Sequence, residues 1–94
     1  MKILTLKKAE KLMDANGKIN IYYQNYDAIE ELPNSLTELY CGYNELKELP
    51  PLPNSLTYLS CVCNNLIYKD NSIETIRHQQ LIQERKDKLK MINL

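Results

Sequence analysis

Glycine is scarce in this 94-residue chain, where only Gly17 and Gly42 occur. A phosphate-cradling loop needs several glycines close together, so nucleotide chemistry of that kind is not expected. No apolar run reaches 18 residues, which excludes a transmembrane helix and leaves no membrane contact to expect. Nor does the N-terminus read as a signal peptide, because Lys7, Lys8, Glu10 and Lys11 interrupt its apolar positions. A soluble, cytoplasmic, single-domain protein spanning residues 1–94 is the expectation. Histidine occurs once, as His78, and Cys41, Cys61 and Cys63 include no pair with a two-residue gap. Zinc ligation is therefore not expected, and no cofactor is called for. A Cys63–His78 couple would lack both an oxyanion hole and an orienting third group, so no catalysis is expected.

Charge is balanced in total but unevenly spread. Residues 1–18 carry five lysines against Glu10 and Asp14, whereas residues 19–71 carry Lys47 and Lys69 against seven acids. Residues 72–94 are again basic, with five basic residues and three acidic ones. Nucleic-acid binding needs a basic stripe on a defined face, and the acidic middle offers the opposite. No nucleic-acid partner is expected.

What the chain does have is a repeat. Leu-Pro-Asn-Ser-Leu-Thr begins at Leu32 and again at Leu52, 20 residues on. The first full copy reads Leu36-x-x-Leu39-x-Cys41-x-x-Asn44-x-Leu46-x-x-Leu49-Pro50, and the second Leu56-x-x-Leu59-x-Cys61-x-x-Asn64-x-Leu66. Shifting back by the same interval exposes a weaker copy, Ile19-x-Ile21-x-x-Gln24-x-Tyr26-x-x-Ile29. Periods of 20–29 residues belong to one repeat architecture.

Each spacing has a physical reason. Leu39 and Cys41 alternate with Tyr40 and Gly42, the period of a strand with one buried face. An asparagine after the strand both donates and accepts, so Asn44 and Asn64 would form a ladder satisfying backbone groups, with Gln24 a longer substitute at one end. Leu46 and Leu49 return inward. Pro50, Pro51 and Pro53 disfavour helix before them, so the returning side should be extended.

This pattern resembles the leucine-rich repeat, in its short 20-residue form with Leu-Pro-x-Leu-Pro connectors. That form is known from secreted bacterial effectors and from small proteins of large DNA viruses of amoebae. The resemblance covers residues 19–69; Asn16 and Lys69 depart from it, where a leucine would stand. It implies an α/β repeat solenoid with a small parallel sheet, an extended convex side and capping helices. It also implies a non-catalytic protein-interaction module working between virus or effector and host, in the host cytoplasm.

A solenoid leaves open core ends that need covers. Residues 1–17 are read as a helical cap, with Thr5 capping a helix through Ala15 and Leu6, Ala9, Leu12 and Met13 on its apolar side. Residues 18–70 hold about three repeats. Residues 71–94 are read as a helix that Asn71 or Ser72 starts and that runs to about Lys90. Ile73 and Ile76 share one stripe there, while Leu81, Ile82, Leu89 and Ile92 fall roughly 140° away at 100° per residue. Those four either pack on the repeat flank, fray, or contact another chain, most simply in a homodimer.

The outward strand positions are unusually rich in tyrosine. In the resembled fold they line the concave face, and here the candidate partner-binding residues are Tyr22, Tyr23, Glu38, Tyr40, Tyr43, Tyr58, Ser60 and Cys63. Tyrosine offers a large contact area with few torsions to order. The plain alternative is that these rings are good strand residues covering their neighbours. A structural, self-assembling role through the C-terminal helix or repeat flank is the alternative function. Cys41 and Cys61 should be buried thiols, and Cys63 should face solvent.

Overall fold

The 20-residue interval becomes a hydrogen-bonded register in the computed structural model, which describes residues 1–92 and the side chains of residues 1–90. In chain order the elements are β1 (Ile3–Leu4), α1 (Leu6–Leu12), β2 (Lys18–Asn20), β3 (Ala28–Ile29), β4 (Glu38–Tyr40), β5 (Tyr58–Ser60) and α2 (Ile73–Ile92). Strands β2, β4 and β5 form one parallel sheet, and β1 pairs with β3 in a second. Among the described residues neither sheet closes into a barrel.

Lys18, Glu38 and Tyr58 lie side by side, as do Ile19, Leu39 and Leu59. The pairing outlasts the three-residue strands. Ile21 N–H donates to Tyr40 O and Cys41 N–H to Ser60 O, both at 2.8 Å. Tyr23 N–H then donates to Gly42 O and Tyr43 N–H to Val62 O, at 3.3 and 2.9 Å. Parallel strands need long crossovers, and here these run without a helix from β2 to α2. Leu36 N–H closes a turn on Pro33 O, and Leu56 N–H repeats it on Pro53 O. Proline at those places fixes the backbone and removes a donor that the turn does not use.

Inward residues from successive segments form one core. Ile19, Ile21, Leu36, Leu39, Cys41 and Leu46 are fully buried, and Leu4, Ala9 and Ile76 close it from the two ends. Burying a leucine or isoleucine side chain stabilises by about 1.5–3 kcal/mol, and this cluster supplies most of the folding drive.

The ends differ from what the sequence led us to expect. Helix α1 starts as read, with the Thr5 hydroxyl accepting from Lys8 N–H at 3.3 Å, but it stops at Leu12 rather than Ala15. Met13 already has an extended ψ of 128°, and the Asp14 carboxylate turns the chain by accepting from the N–H groups of Asn16 and Lys18. Of its four apolar residues only Ala9 is buried; Leu12 is exposed, and Leu6 and Met13 are half-buried. Residues 1–17 are also not wholly helical. Strand β1 docks beside β3, where Lys2 N–H reaches the Asp27 carboxylate at 2.7 Å and Glu30 N–H reaches Leu4 O at 2.8 Å.

At the other end Ser72, not Asn71, caps α2, its hydroxyl accepting from Thr75 N–H at 3.2 Å. Asp70 braces that cap by accepting from the Ser72 N–H and from the hydroxyls of Ser72 and Thr75, which holds its carboxyl below the usual range. The helix runs past Lys90 to Ile92.

Candidate interaction surface

The outward side of the three-stranded sheet carries an aromatic cluster built by the register. Tyr22 meets Tyr23, Tyr40 and Tyr43 edge-on, with ring centroids 5.9–6.2 Å apart. Tyr40 leans on Tyr58 at 5.2 Å, and the Lys18 ammonium sits 4.6 Å from the Tyr40 ring centre. Such edge-to-face and cation–π geometries each add about 0.5–1.5 kcal/mol beyond area burial.

Gly42 makes the cluster possible. The Tyr22 ring crosses directly above it, and its hydroxyl is bonded to the Ser60 hydroxyl two strands away. A Cβ at residue 42 would lie 3.0 Å from the Tyr22 ring and 3.1 Å from Val62 O. A side chain there would push the ring off the sheet.

Tyr23, Tyr43 and Cys63 share a backbone feature the sequence did not announce. All three are left-handed, with φ of 57°, 57° and 55°, at one position of each 20-residue unit. Glycine or asparagine suits that region; other residues cost about 1–3 kcal/mol there. The turn sends each side chain outwards. Tyr23 and Tyr43 stack with centroids 4.3 Å apart and planes 11° off parallel, and Cys63 continues the row.

Two of the phenols, those of Tyr40 and Tyr43, are biased towards the neutral form. Partial burial and then the hydrogen bond to Glu38 raise the Tyr40 pKa, and the Tyr23 hydroxyl raises that of Tyr43. Tyr40 O–H donates to the Glu38 carboxylate at 3.2 Å. Tyr40 and Tyr43 therefore present rings and hydroxyls rather than phenolates near neutral pH.

The eight candidate residues do not share one environment. Tyr23, Tyr43, Tyr58 and Cys63 are exposed, whereas Tyr22, Glu38, Tyr40 and Ser60 are half-buried. Tyr22 and Ser60 already use their hydroxyls on each other, so they hold the surface rather than extend it.

Beneath the cluster lies the asparagine ladder. Asn44 is 6 % exposed; its amide donates to the carbonyls of Ile21, Cys41 and Gly42, and its oxygen accepts from Tyr26 N–H. Asn64 repeats this with Cys41, Cys61, Val62 and Leu46. Gln24 does not join. Asn44 reaches back to Ile21 O and Asn64 to Cys41 O in the preceding 20-residue unit, and no such unit precedes residue 24. Its side chain is exposed, and Lys2 Nζ donates instead to its backbone carbonyl at 2.7 Å.

The thiols divide as the strand period requires. Cys41 and Cys61 are buried and free, and burial pushes both up, Cys61 to about 11. Cys63 is exposed. No group of three or more metal-binding side chains occurs among the described residues.

Sequence reading missed the polar seal between α2 and the crossover at residues 49–56. Arg77 Nη2 donates to Pro53 O at 2.6 Å, and Gln80 Nε2 donates to the carbonyls of Leu49 and Pro50. Tyr68 bridges both backbone groups of Leu49. The signal was available: Ile73, Ile76, Arg77 and Gln80 fall at i, i+3, i+4 and i+7, a single helical stripe. Leu81, Ile82 and Leu89 are only partly covered, being 44, 38 and 58 % exposed. Leu81 borders a groove of about 620 Å³ between α2 and residues 48–54. The side chain of Ile92 lies outside the described residues.

No described helix is long and apolar enough to cross a membrane. No family model, curated protein or solved structure matches the chain.

Proposed function

We propose that this chain is a short solenoid of the leucine-rich-repeat kind and that it serves as a non-catalytic protein-interaction module. Its partner surface is the tyrosine face, and its place of action is the cytoplasm of a eukaryotic host. The observation that carries this reading is the stacked pair Tyr23–Tyr43 on a left-handed backbone. Folding alone favours glycine or asparagine at such positions. A tyrosine there adds strain and projects an exposed ring, Tyr23 being 68 % exposed. Exposed aromatic anchors with few torsions are typical of recognition surfaces.

The same argument supplies the test. Tyr23→Asn with Tyr43→Asn removes both rings but suits the backbone, so the melting temperature should hold or rise. A host protein captured by the parent chain should be lost to this variant. Equal capture by both would end the reading.

A second reading, self-assembly through α2, is favoured by one observation: Leu81, Ile82 and Leu89 are exposed on a helix that extends past the seal.

A further inference from the structure

The two ends of the molecule carry opposite charge. On α1 the buried Ala9 faces the core, and at 100° per residue Lys7, Lys8 and Lys11 fall together on the opposite side. All three are exposed, and so is Leu12 at their margin. None of the three is ion-paired; among the described residues the one such pair is Lys88 with Glu84. At the other end, past the Gln80 seal, lies the groove of about 620 Å³ between α2 and residues 48–54. Leu49 and Leu52 give it a buried apolar floor, and the exposed Glu48, Glu84 and Asp87 stand around it. Arg77 is the one cation in its lining, and its guanidinium is committed to the carbonyls of Pro53 and Leu56. The Glu84–Lys88 pair is a solvated one between neighbouring helix turns, so Glu84 stays open to another cation.

The lysines of a chain cannot fill its own groove. Leu4 and Ala9 close the core at one end and Ile76 at the other, along a molecule 43 Å long. A twofold pairing of α2 with itself does not suit the groove either, because it brings Glu84 and Asp87 to the same two acids of the partner. The lysine face of α1 contains no acid, since Glu10 lies about 100° from Lys11 around the helix.

We propose that the groove takes the lysine face of α1 from a second copy of this chain, so that copies join head to tail. Lys7, Lys8 and Lys11 meet the ring of Glu48, Glu84 and Asp87, and Leu12 covers apolar surface at the Leu81 rim. Complementary charge steers the encounter and fixes which ends meet, because each end repels its own kind. The contact is heterologous: a joined pair still offers a free α1 at one end and a free groove at the other, so growth continues past two. The inference rests on the self-assembly reading, to which it gives a defined occupant, and it leaves the tyrosine face free.

Light scattering of the full chain across micromolar to millimolar concentration should show the mass passing that of a dimer at low salt. Raising the salt from about 0.01 to 1 M shortens the screening length from about 30 to 3 Å and should weaken association roughly tenfold or more. Glu48→Gln with Glu84→Gln and Asp87→Asn should weaken it as much, and so should Lys7→Gln with Lys8→Gln and Lys11→Gln. All six residues are exposed, so the circular-dichroism spectrum should stay native. The same loss of three acids at Glu30, Glu31 and Glu45, exposed and outside the groove, should leave association unchanged. Equal weakening by that control would mean net charge alone acts, and overturns the proposal. A parent that stays monomeric overturns it together with the self-assembly reading. A mass that stops at two keeps self-assembly and overturns the head-to-tail contact. So does association that survives both neutralised sets but is lost in Ile82→Ser with Leu89→Ser, on the stripe outside the groove.

Discussion

The two outer strands of the central sheet, β2 and β5, are treated in opposite ways. At β2 the even residues face outwards, and Asp14 takes both outward groups of Lys18: its carboxylate accepts from Lys18 N–H at 3.0 Å and its own N–H donates to Lys18 O at 2.9 Å. Helix α1 covers the core behind, so Ile19 is fully buried. At β5 the Asn64 amide in the following turn takes the outward carbonyl of Cys61 at 3.1 Å, and Cys61 is 1 % exposed with its thiol against Asn71 O. Ile76 plugs the core, Arg77 and Gln80 bind the crossover, and Leu59 keeps part of its surface in water. One end is finished by the Asp14 turn and the other by the Asn64 amide together with side-chain packing.

The largest effect should come from truncating the core at each end. Ile19→Ala should cost about 2–5 kcal/mol, as buried isoleucine truncations do. Leu59→Ala should cost roughly half as much, because part of the side chain is already solvated. Urea unfolding at low concentration, with unchanged m-values, reads both losses. Equal losses would mean that something covers Leu59 in solution, and the contrast between the ends would vanish.

A smaller effect should follow from opening the guarded edge. Asp14→Ala leaves two N–H groups, of Asn16 and Lys18, without their acceptor and should cost about 1–2 kcal/mol. The Lys18 amide should also exchange with deuterium faster than in the parent. Unchanged exchange would mean that α1, not Asp14, protects this edge.

What was legible follows from which forces act at fixed spacing. The 20-residue interval placed Lys18, Glu38 and Tyr58 in one row because side-chain burial alternates strictly along a strand. The asparagine positions were legible because one amide can satisfy several carbonyls at once. Gln24 was not, because its role depends on a preceding turn that composition does not reveal. The β1–β3 pair was hidden for a related reason: two-residue strands carry too short a pattern to read. The left-handed Tyr23, Tyr43 and Cys63 ran against local propensity, which favours glycine or asparagine. The Arg77–Gln80 seal escaped because an apolar stripe was sought where a polar one completes it.

The smallest effect concerns the thiols, which report the same contrast without unfolding anything. Under reducing conditions the exposed Cys63 should react with a thiol reagent well before Cys41 or Cys61. Only the thiolate attacks, and burial holds Cys61 as a thiol until about pH 11 and Cys41 higher still. Between pH 7 and 9 the fast phase should therefore account for one thiol per chain, and the slow phase should follow transient opening. The same shifts carry a stability consequence. A folded-state pKa above the unfolded value of about 8.5 means that both cysteines contribute fully below that pH. Their contribution should fall as pH rises from there through 11, so the unfolding midpoint should drop over this range, and by less in Cys61→Ala, where Cys41 still loses its share. Cys61→Ala that still loses as much stability by pH 11 as the parent would place the alkaline loss elsewhere. Equal labelling of all three thiols at pH 8 would mean that the inward and outward sets of β5 are exchanged, a slip of one residue in register.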